Sequence, residues 1–278
     1  MESLANITLA EKPAKCERHG PYMTRLLAER PKEVWSFCPG CQAEIKAERA
    51  REEEALKKRK LEGNLKEAGI LRRFRDATFG TYGPQTEGQA RIHEAVMDYA
   101  ANFEDHLEAG RCLVIVGGPG QGKTHLGVSL LKEIIYWGWT AVYCREYDFF
   151  RAVKETWSGG GNRQTERAIV EHFVKPDLLI LDEIGVQFFS RAEGALIFQI
   201  IENRYGAVKP TMAISNLPGP PPNKSRSGDG RPLNRTKVED IEDALGFRAY
   251  DRLVERGGIL LSFPPGQPSY RRQEAVLQ

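Results

Sequence analysis

A glycine-rich stretch at residues 117–124 stands between an apolar run and a helix-like segment, and this order restricts the possible folds strongly. The stretch reads Gly-Gly-Pro-Gly-Gln-Gly-Lys-Thr and matches the phosphate-binding pattern G-x-x-x-x-G-K-[ST]. A strand, a glycine turn and a helix N-terminus together direct successive backbone N–H groups at an anion. A chance glycine-rich turn would not need the strand before it and the helix after it. We therefore predict that a nucleotide binds here.

The side chains at the end of this loop have distinct expected roles. The Lys123 ammonium can reach the β- and γ-phosphates, and the Thr124 hydroxyl is placed to ligate Mg²⁺. Contacts with the nucleotide are predicted for Gly117, Gly118, Pro119, Gly120, Gln121, Gly122, Lys123, Thr124 and His125.

A second motif supplies two adjacent carboxylates at the end of an apolar strand. Residues 177–183 read Asp-Leu-Leu-Ile-Leu-Asp-Glu, so Asp182 follows Lys123 by 59 positions (182 − 123). In a parallel α/β sheet the carboxyl ends of the strands line the ligand crevice. We predict that Asp182 holds the Mg²⁺ shell and that Glu183 orients and polarises the attacking water. An exposed acidic pair in a turn is the alternative, and the upstream loop disfavours it.

Two other classes of nucleotide enzyme fit the sequence less well. Residues 182–185 also match the D-x-x-G of a GTPase switch, but a GTPase needs an Asn-Lys-x-Asp motif downstream. The one candidate, residues 223–226, reads Asn-Lys-Ser-Arg and lacks the Asp. A small-molecule kinase would need an acceptor-binding lid, which the sequence does not indicate.

Four cysteine and histidine residues near the N-terminus have the spacing of a metal site. Cys16 and His19 form one pair with two residues between them, and Cys38 and Cys41 form another, 18 residues further on (20–37). Three thiolates and an imidazole make a closed tetrahedral Zn²⁺ site of the structural kind. Unrelated surface residues in a flexible tail are the alternative. We predict one zinc ion per chain.

The 278 residues suffice for one sizeable core and a smaller module. We predict a zinc-binding module over residues 1–41, a charged linker helix over 42–69 and a larger domain over 70–278. In the larger domain, one helix is predicted over 87–107, and strands then alternate with helices, including a last helix over 246–256. This alternation predicts an α/β fold with a parallel sheet and helices on both faces.

Composition excludes some partners and compartments. The formal net charge is +2, so a nucleic-acid surface would have to be a local patch. No run approaches the roughly 18 apolar residues of a membrane span, and we expect a cytoplasmic protein with reduced cysteines. Basic and aromatic residues alternate over 145–157, either as a single-strand contact or as core packing. Residues 217–237 are rich in proline and predict a long loop.

Together the motifs resemble those of AAA+ ATPases of the bacterial and phage helicase-loader group, the DnaC and DnaI types. The resemblance rests on Gly-Gln-Gly-Lys-Thr-His-Leu, Leu-Ile-Leu-Asp-Glu-Ile-Gly and Ala-Ile-Ser-Asn-Leu, and covers roughly residues 70–278. Residues 245–253 look like the loader box VII, and residues 269–271 look like the loader C-terminus. The N-terminal Cys/His pairs are similar to those of DnaI-type and prophage loaders rather than to DnaC.

The resemblance implies further site residues. Asn216 resembles the sensor 1 residue that contacts the γ-phosphate or the lytic water, although an Asx-type turn residue is the alternative. Arg248 and Arg252 lie one turn apart and correspond to arginine fingers that act across a subunit interface. An ordinary surface salt bridge is the alternative for either arginine. Arg271 corresponds to a sensor 2-like contact with the nucleotide.

The resemblance also implies the ligands and partners. It implies ATP, Mg²⁺ and Zn²⁺, self-association through the AAA+ domain, and delivery of a hexameric replicative DNA helicase to single-stranded DNA. In that group the zinc-containing module grips the helicase. Two alternatives remain: an IstB-type transposition helper ATPase, whose core motifs are very similar, and an adaptor that binds nucleotide without hydrolysis. The N-terminal Cys/His pairs disfavour the first, and Asp182 with Glu183 disfavours the second.

Overall fold

The structure is a computed structural model, and it describes residues 10–28, 32–157, 165–186, 191–222, 224 and 238–270. The predicted glycine-rich break at 158–162, most of the proline-rich loop at 217–237, and Arg271 lie outside the described residues. The chain divides into two compact units, Met1–Lys60 and Leu61–Gln278, which are considered separately.

The first unit contains a small antiparallel sheet. Strand β1 (Glu11–Cys16) pairs with β2 (Gly20–Ala28), and β2 pairs with the short β3 (Val34–Trp35). The turn between β1 and β2 carries His19, and Gly20, the first residue of β2, has a φ of 80°. The hairpin and the return through β3 therefore bring the two Cys/His pairs to one place.

Helix α1 (Pro39–Glu67) coincides with most of the predicted charged linker, and the boundary between the two units falls inside it. None of its residues is buried, as its lack of a continuous apolar stripe predicts. Within the second unit, Leu61 and Leu65 from its end pack on the core of that unit. No helix in the described part of the chain combines the length and the apolar character needed to cross a membrane.

The prediction of one helix over 87–107 was wrong, because the structure has two helices there. Helix α2 (Glu87–Ala101) ends at Asn102, and α3 (Phe103–Ala109) begins directly after it. The Asn102 side chain donates a 2.9 Å hydrogen bond to the backbone carbonyl of Asp98. Asparagine offers the backbone such a local alternative to helical bonding, and a helix break at this residue is the result.

The second unit is built on a parallel sheet. Its five described strands are β4 (Leu113–Val116), β5 (Ala141–Arg145), β6 (Leu178–Ile184), β7 (Thr211–Ser215) and β8 (Ile259–Ser262). The strand order is β5-β6-β7-β4-β8, so β4 lies between β7 and β8. This order places the ends of β4, β6 and β7 side by side at one edge of the sheet.

Helices occupy both faces of this sheet. Besides α2 and α3, they are α4 (Lys123–Tyr136), α5 (Glu146–Trp157), α6 (Glu166–Val174), α7 (Arg191–Gly206), α8 (Ile241–Leu245) and α9 (Phe247–Val254). The helix predicted over 246–256 is α9, and a short 3-10 turn (Glu255–Gly257) follows it. The short helix α8 was not predicted, and Gly246 at φ 83° and ψ 146° separates it from α9. That conformation lies outside the helical region and is accessible to glycine.

Alternate residues of the strands enter two separate cores. Val114 and Val116 of β4 belong to the core under α5, α6, α7 and α9, whereas Leu113 and Ile115 belong to the core under α2 and α4. Side chains of a strand point alternately to opposite faces, so two cores require helices on both sides. The predicted α/β fold of the AAA+ kind is confirmed. Phe149 and Phe150 are buried in the first of these cores, which supports core packing for these two aromatic residues of α5.

Candidate nucleotide site and candidate metal centre

The glycine-rich stretch connects the end of β4 to the start of α4, as predicted. Gly120 and Gly122 have φ values of 80° and 86°, in the left-handed region. A Cβ atom on Gly122 would lie 2.3 Å from the ring of Tyr82. Both the backbone conformation and the space therefore require glycine at Gly122.

Lys123 lies inside the loop with its charge surrounded by oxygen atoms. Its ammonium donates hydrogen bonds of 2.7 Å to the carbonyl oxygens of Gly117 and Gly118, and one of 2.9 Å to Oδ1 of Asn216. Asn216 follows β7 directly, and β7 neighbours β4 in the sheet. The sheet thus brings together a lysine and an asparagine that are 93 positions apart (216 − 123).

Thr124 and Asp182 form the contact expected of a magnesium site. The Thr124 hydroxyl donates a 2.7 Å hydrogen bond to Oδ2 of Asp182, which is 2% exposed. The hydroxyl of Tyr143 donates to the same oxygen at 2.8 Å. Burial raises the pKa of Tyr143, so its hydroxyl keeps its proton and remains a donor. A threonine hydroxyl beside a carboxylate is a donor set that suits Mg²⁺.

Glu183 is held in an uncommon backbone conformation. Its φ is 59°, which is costly for a residue with a Cβ atom and is found mostly at functional sites. Its backbone N–H donates to Oδ1 of Asp182 at 2.7 Å, and its carboxylate lies 4.0 Å from the guanidinium of Arg145. Arg145 also pairs with Asp148 at 2.6 Å. The carboxylates of Asp182 and Glu183 thus have different neighbours, as the different roles predicted for them require.

His125 has a different environment from the other residues of the predicted loop. Its Nε2 atom lies 2.9 Å from the carbonyl oxygen of Thr78 and 3.2 Å from the hydroxyl of Thr81. Its ring also packs on Tyr82, with 5.6 Å between the ring centroids. The side chain therefore packs against residues 78–82.

The two arginines of α9 differ in their surroundings. The Arg252 guanidinium contacts the carboxylates of Glu202 at 3.0 Å and Glu255 at 3.2 Å, and it lies over the ring of Tyr205. Arg248 is exposed and has no ion pair with another described residue. Arg252 therefore forms the surface salt bridge that was the alternative to an arginine finger, whereas the exposed Arg248 can contact another molecule.

Sequence reasoning missed three tyrosines at this site. Tyr82 and Tyr270 contact the outer side of the loop, and Tyr143 holds the Asp182 carboxylate. Tyr143 could have been noticed because its hydroxyl lies inside the apolar strand β5, and a buried hydroxyl requires a hydrogen-bond partner. Tyr82 is 39 positions from Gln121 (121 − 82), and Tyr270 is 150 positions from Gly120 (270 − 120). Spacing alone gives no reason to place them at the loop.

In the first unit, the four predicted metal ligands converge. Their ligand atoms all lie within 4.8 Å of one another. The Sγ atoms of Cys16 and Cys41 are 3.6 Å apart, and the Nδ1 atom of His19 lies 3.7 and 3.4 Å from them. Zinc bonds of about 2.3 Å to sulfur and about 2.0 Å to nitrogen in a tetrahedron require separations of about 3.5–3.8 Å. With the buried Cys38 as the fourth residue, the donor set and these distances fit a zinc ion.

Surrounding residues orient these ligands. Nε2 of His19 lies 3.2 Å from the carboxylate of Glu44, so Nδ1 is the atom turned toward the thiols. Such a carboxylate fixes the tautomer and the orientation of a metal-binding imidazole. A Cβ atom on Gly40 would lie 2.5 Å from the ring of His19, so glycine is needed at this position. Hydrogen bonds from the backbone of Arg18 and from His19 lower the pKa of Cys16 to about 6, which favours the thiolate that binds metal.

Comparison with known proteins agrees with the fold and with the nucleotide site. The model of the IstB-like ATP binding protein family matches residues 47–219. The replicative helicase loader DnaC of Buchnera aphidicola subsp. Baizongia pistaciae is 30% identical over 223 residues, which are 80% of this chain and 79% of that protein. The DnaC loader of Escherichia coli K12 is 26% identical over 70% of this chain and 69% of its own length.

A solved structure of a DnaC helicase loader has a similar fold. It superposes with a TM-score of 0.55 at 25% identity, and the match covers 70% of this chain and all of that one. The resemblance found in the sequence motifs is therefore confirmed. The family model covers more than half of the chain, and the relatives align over most of their own lengths. The chain belongs to the IstB-like ATP-binding proteins and, among them, to the DnaC-type helicase loader family.

Proposed function

We propose that this protein is an ATP-dependent loader that binds a replicative DNA helicase and delivers it to single-stranded DNA. One observation carries the proposal: Thr124 bonds to Asp182 and Lys123 bonds to Asn216 around the phosphate-binding loop, in a chain that aligns with 79% of a DnaC loader. Binding and hydrolysis of ATP control assembly on the helicase and release from it.

The chain's own residues account for ATP hydrolysis in this proposal. Thr124 and Asp182 would hold Mg²⁺, which would neutralise the charge that develops on the γ-phosphate of bound ATP. Lys123 exchanges its carbonyl acceptors for phosphate oxygens. Glu183 orients the attacking water and accepts its proton. Asn216, already bonded to Lys123, senses the γ-phosphate.

Arginine from a second copy of the chain completes the site in this proposal. Arg248 and Arg252 lie one turn apart on α9, on the same face of that helix. Arg248 is exposed and reaches a neighbour without losing an ion pair to a described residue, whereas Arg252 must first leave Glu202 and Glu255. We therefore assign the charge that acts across the interface to Arg248.

The first unit has a separate role in the proposal. Cys16, His19, Cys38 and Cys41 hold one structural zinc ion, which stabilises a sheet too small to form a large core. This module, with the first part of α1, docks on the helicase. A small module of this kind lets the ATPase unit act on DNA and on its own copies while the helicase is held.

A transposition helper ATPase is the second candidate, and the match to the IstB-like family model favours it. Its partner would be a transposase. The loader is preferred because named DnaC loaders align with the chain over 69–79% of their own lengths. The convergent Cys/His cluster also disfavours the helper, as it did in the sequence.

Native mass spectrometry of the protein with the replicative helicase of its host, with and without ATP, tests the proposal. We expect a complex with the helicase hexamer, whose stability changes with ATP. Lys123→Ala should abolish nucleotide binding and remove this ATP dependence. Absence of a complex under both conditions would overturn the loader and favour the transposition helper.

A turnover assay separates hydrolysis from static binding. Glu183→Gln should bind ATP like the wild type and lose hydrolysis, because the amide cannot accept a proton from water. Glu155→Gln is a matched control on the exposed side of α5, and it should hydrolyse ATP at the wild-type rate. Unchanged turnover of the Glu183 variant would show that another group activates the water.

A further inference from the structure

Two tyrosines from distant parts of the second unit bond to carbonyl oxygens of the phosphate-binding loop. The Tyr82 hydroxyl donates a 3.0 Å hydrogen bond to the carbonyl oxygen of Gln121. The backbone N–H of Tyr270 donates a 3.0 Å hydrogen bond to the carbonyl oxygen of Gly120. Tyr82 is 4% exposed, and its ring packs on that of Tyr270 at 5.6 Å between centroids.

These two bonds set the direction of two N–H groups. In a planar trans peptide the C=O and the following N–H point in opposite directions. Holding the carbonyl of Gly120 on one side therefore turns the N–H of Gln121 to the other side. In the same way, holding the carbonyl of Gln121 turns away the N–H of Gly122. Neither N–H makes a hydrogen bond with any part of the chain that the structure describes.

We propose that Tyr82 and Tyr270 are positioning residues that hold the loop with its N–H groups directed at the phosphates before the nucleotide arrives. Successive N–H groups that face one way form an anion-binding concavity. A loop held in its binding conformation loses less conformational entropy when the ligand binds. The proposal rests on nucleotide binding at this loop and adds the residues that prepare it.

Packing around the tyrosines supports a specific role rather than general filling. The Tyr270 hydroxyl donates to the carbonyl oxygen of Gly83, next to Tyr82, at 2.7 Å. Ser269 lies so close to Gly120 that a Cβ atom there would overlap it. The Tyr82 ring occupies the space beside Gly122. The segments that carry the two tyrosines thus bond to each other and to the loop.

Tyr82→Phe tests the proposal, because it keeps the ring and removes the hydroxyl. The matched control is Tyr99→Phe, since the Tyr99 hydroxyl donates to the carbonyl of Arg111 at 2.6 Å, in a buried place outside the loop. Isothermal titration of the full-length protein with Mg-ADP gives the affinity, and thermal unfolding without nucleotide gives the stability.

We expect Tyr82→Phe to weaken Mg-ADP binding about 5-fold, the equivalent of one hydrogen bond. Tyr99→Phe should lower the unfolding temperature and leave the affinity within about twofold of wild type. In Tyr82→Phe the ATPase kcat should stay unchanged while KM rises, because the loop binds the ground state and the transition state alike. Equal losses of affinity in both variants, or none in Tyr82→Phe, would overturn the proposal.

A second pair of variants applies if Tyr82→Phe reduces the yield of folded protein. Tyr270→Pro removes the N–H donor, and Tyr270→Ala keeps it while removing the same ring. The proline variant should bind Mg-ADP several-fold more weakly than the alanine variant, and equal affinities would refute the role of the N–H. If the wild type itself bound no nucleotide, the proposed function would fail. If the wild type binds and all variants bind equally, only this inference fails.

Discussion

Arg204 is fully buried, and its replacement by methionine should lower the free energy of unfolding of the second unit by about 4 kcal/mol. The five N–H groups of its guanidinium serve six acceptors, which are five backbone carbonyls and one hydroxyl, at distances of 2.5–3.2 Å, and Nη1 shares its two hydrogens among three of them. The acceptors are the carbonyl oxygens of Phe173, Val174, Pro176, Asp177 and Pro210, and Oγ1 of Thr211. These atoms belong to the end of α6 and to the turns that enter β6 and β7, so one side chain joins both connections.

The magnitude follows from those six acceptors. Methionine has a similar length but no donor, so all six acceptors lose their partner. A buried acceptor without a donor costs about 1–3 kcal/mol. We assume that about half of the six acceptors form hydrogen bonds with water in the variant. Burial of the Arg204 charge is itself unfavourable, as the lowering of its pKa to about 10 indicates. Methionine carries no charge, so part of the lost free energy of unfolding is regained. The net loss of about 4 kcal/mol is large for a domain stabilised by about 5–15 kcal/mol.

Native-state hydrogen exchange at the amides of β6 and β7 gives this free energy for the second unit alone. Arg204→Lys should lose about 3 kcal/mol, since an ammonium has three donors rather than five. The matched control is Arg167→Met, whose side chain is 88% exposed and pairs with Glu171. It should lose less than about 0.5 kcal/mol. A loss below about 1 kcal/mol for both Arg204 variants would refute the reasoning.

Three further predictions concern the two sites. Tyr143→Phe should raise the Mg²⁺ concentration needed for half-maximal ATPase activity several-fold, because Asp182 loses a 2.8 Å hydrogen bond that orients it. An unchanged Mg²⁺ titration would contradict this role. Glu44→Gln should weaken zinc binding about 10-fold, as measured by competition with a chromogenic chelator, because His19 loses its orienting carboxylate. Treatment with a thiol-reactive mercurial should release one equivalent of zinc per chain and make residues 10–60 sensitive to protease. Resistance to protease equal to that of the untreated protein would argue against a structural metal.

Much of the nucleotide site could be predicted because its signals are local. The loop at residues 117–124 follows a strand and begins a helix, and Asp182 with Glu183 ends an apolar run. Each of these motifs needs a few consecutive residues, and the end of a parallel strand faces the ligand crevice whatever the strand order. The contact between Thr124 and Asp182 was expected for this reason, and the structure has it at 2.7 Å.

Secondary structure was harder to predict where one residue decides a boundary. The apolar periodicity over 87–107 continues through Asn102, so periodicity alone indicates one helix. The side-chain bond from Asn102 to Asp98 ends it. Such local competitors for the backbone change the outcome without changing the hydrophobic pattern.

The sequence by itself determined the α/β alternation, the phosphate-binding loop, the acidic strand end and the two Cys/His pairs, because each depends on spacing along the chain. The tertiary structure alone decided that Asn216 meets Lys123, that Tyr82 and Tyr270 bond to the loop, and that Arg252 pairs within its own subunit. These contacts join residues far apart in the chain. They depend on strand order and on helix packing, which no short stretch of sequence encodes.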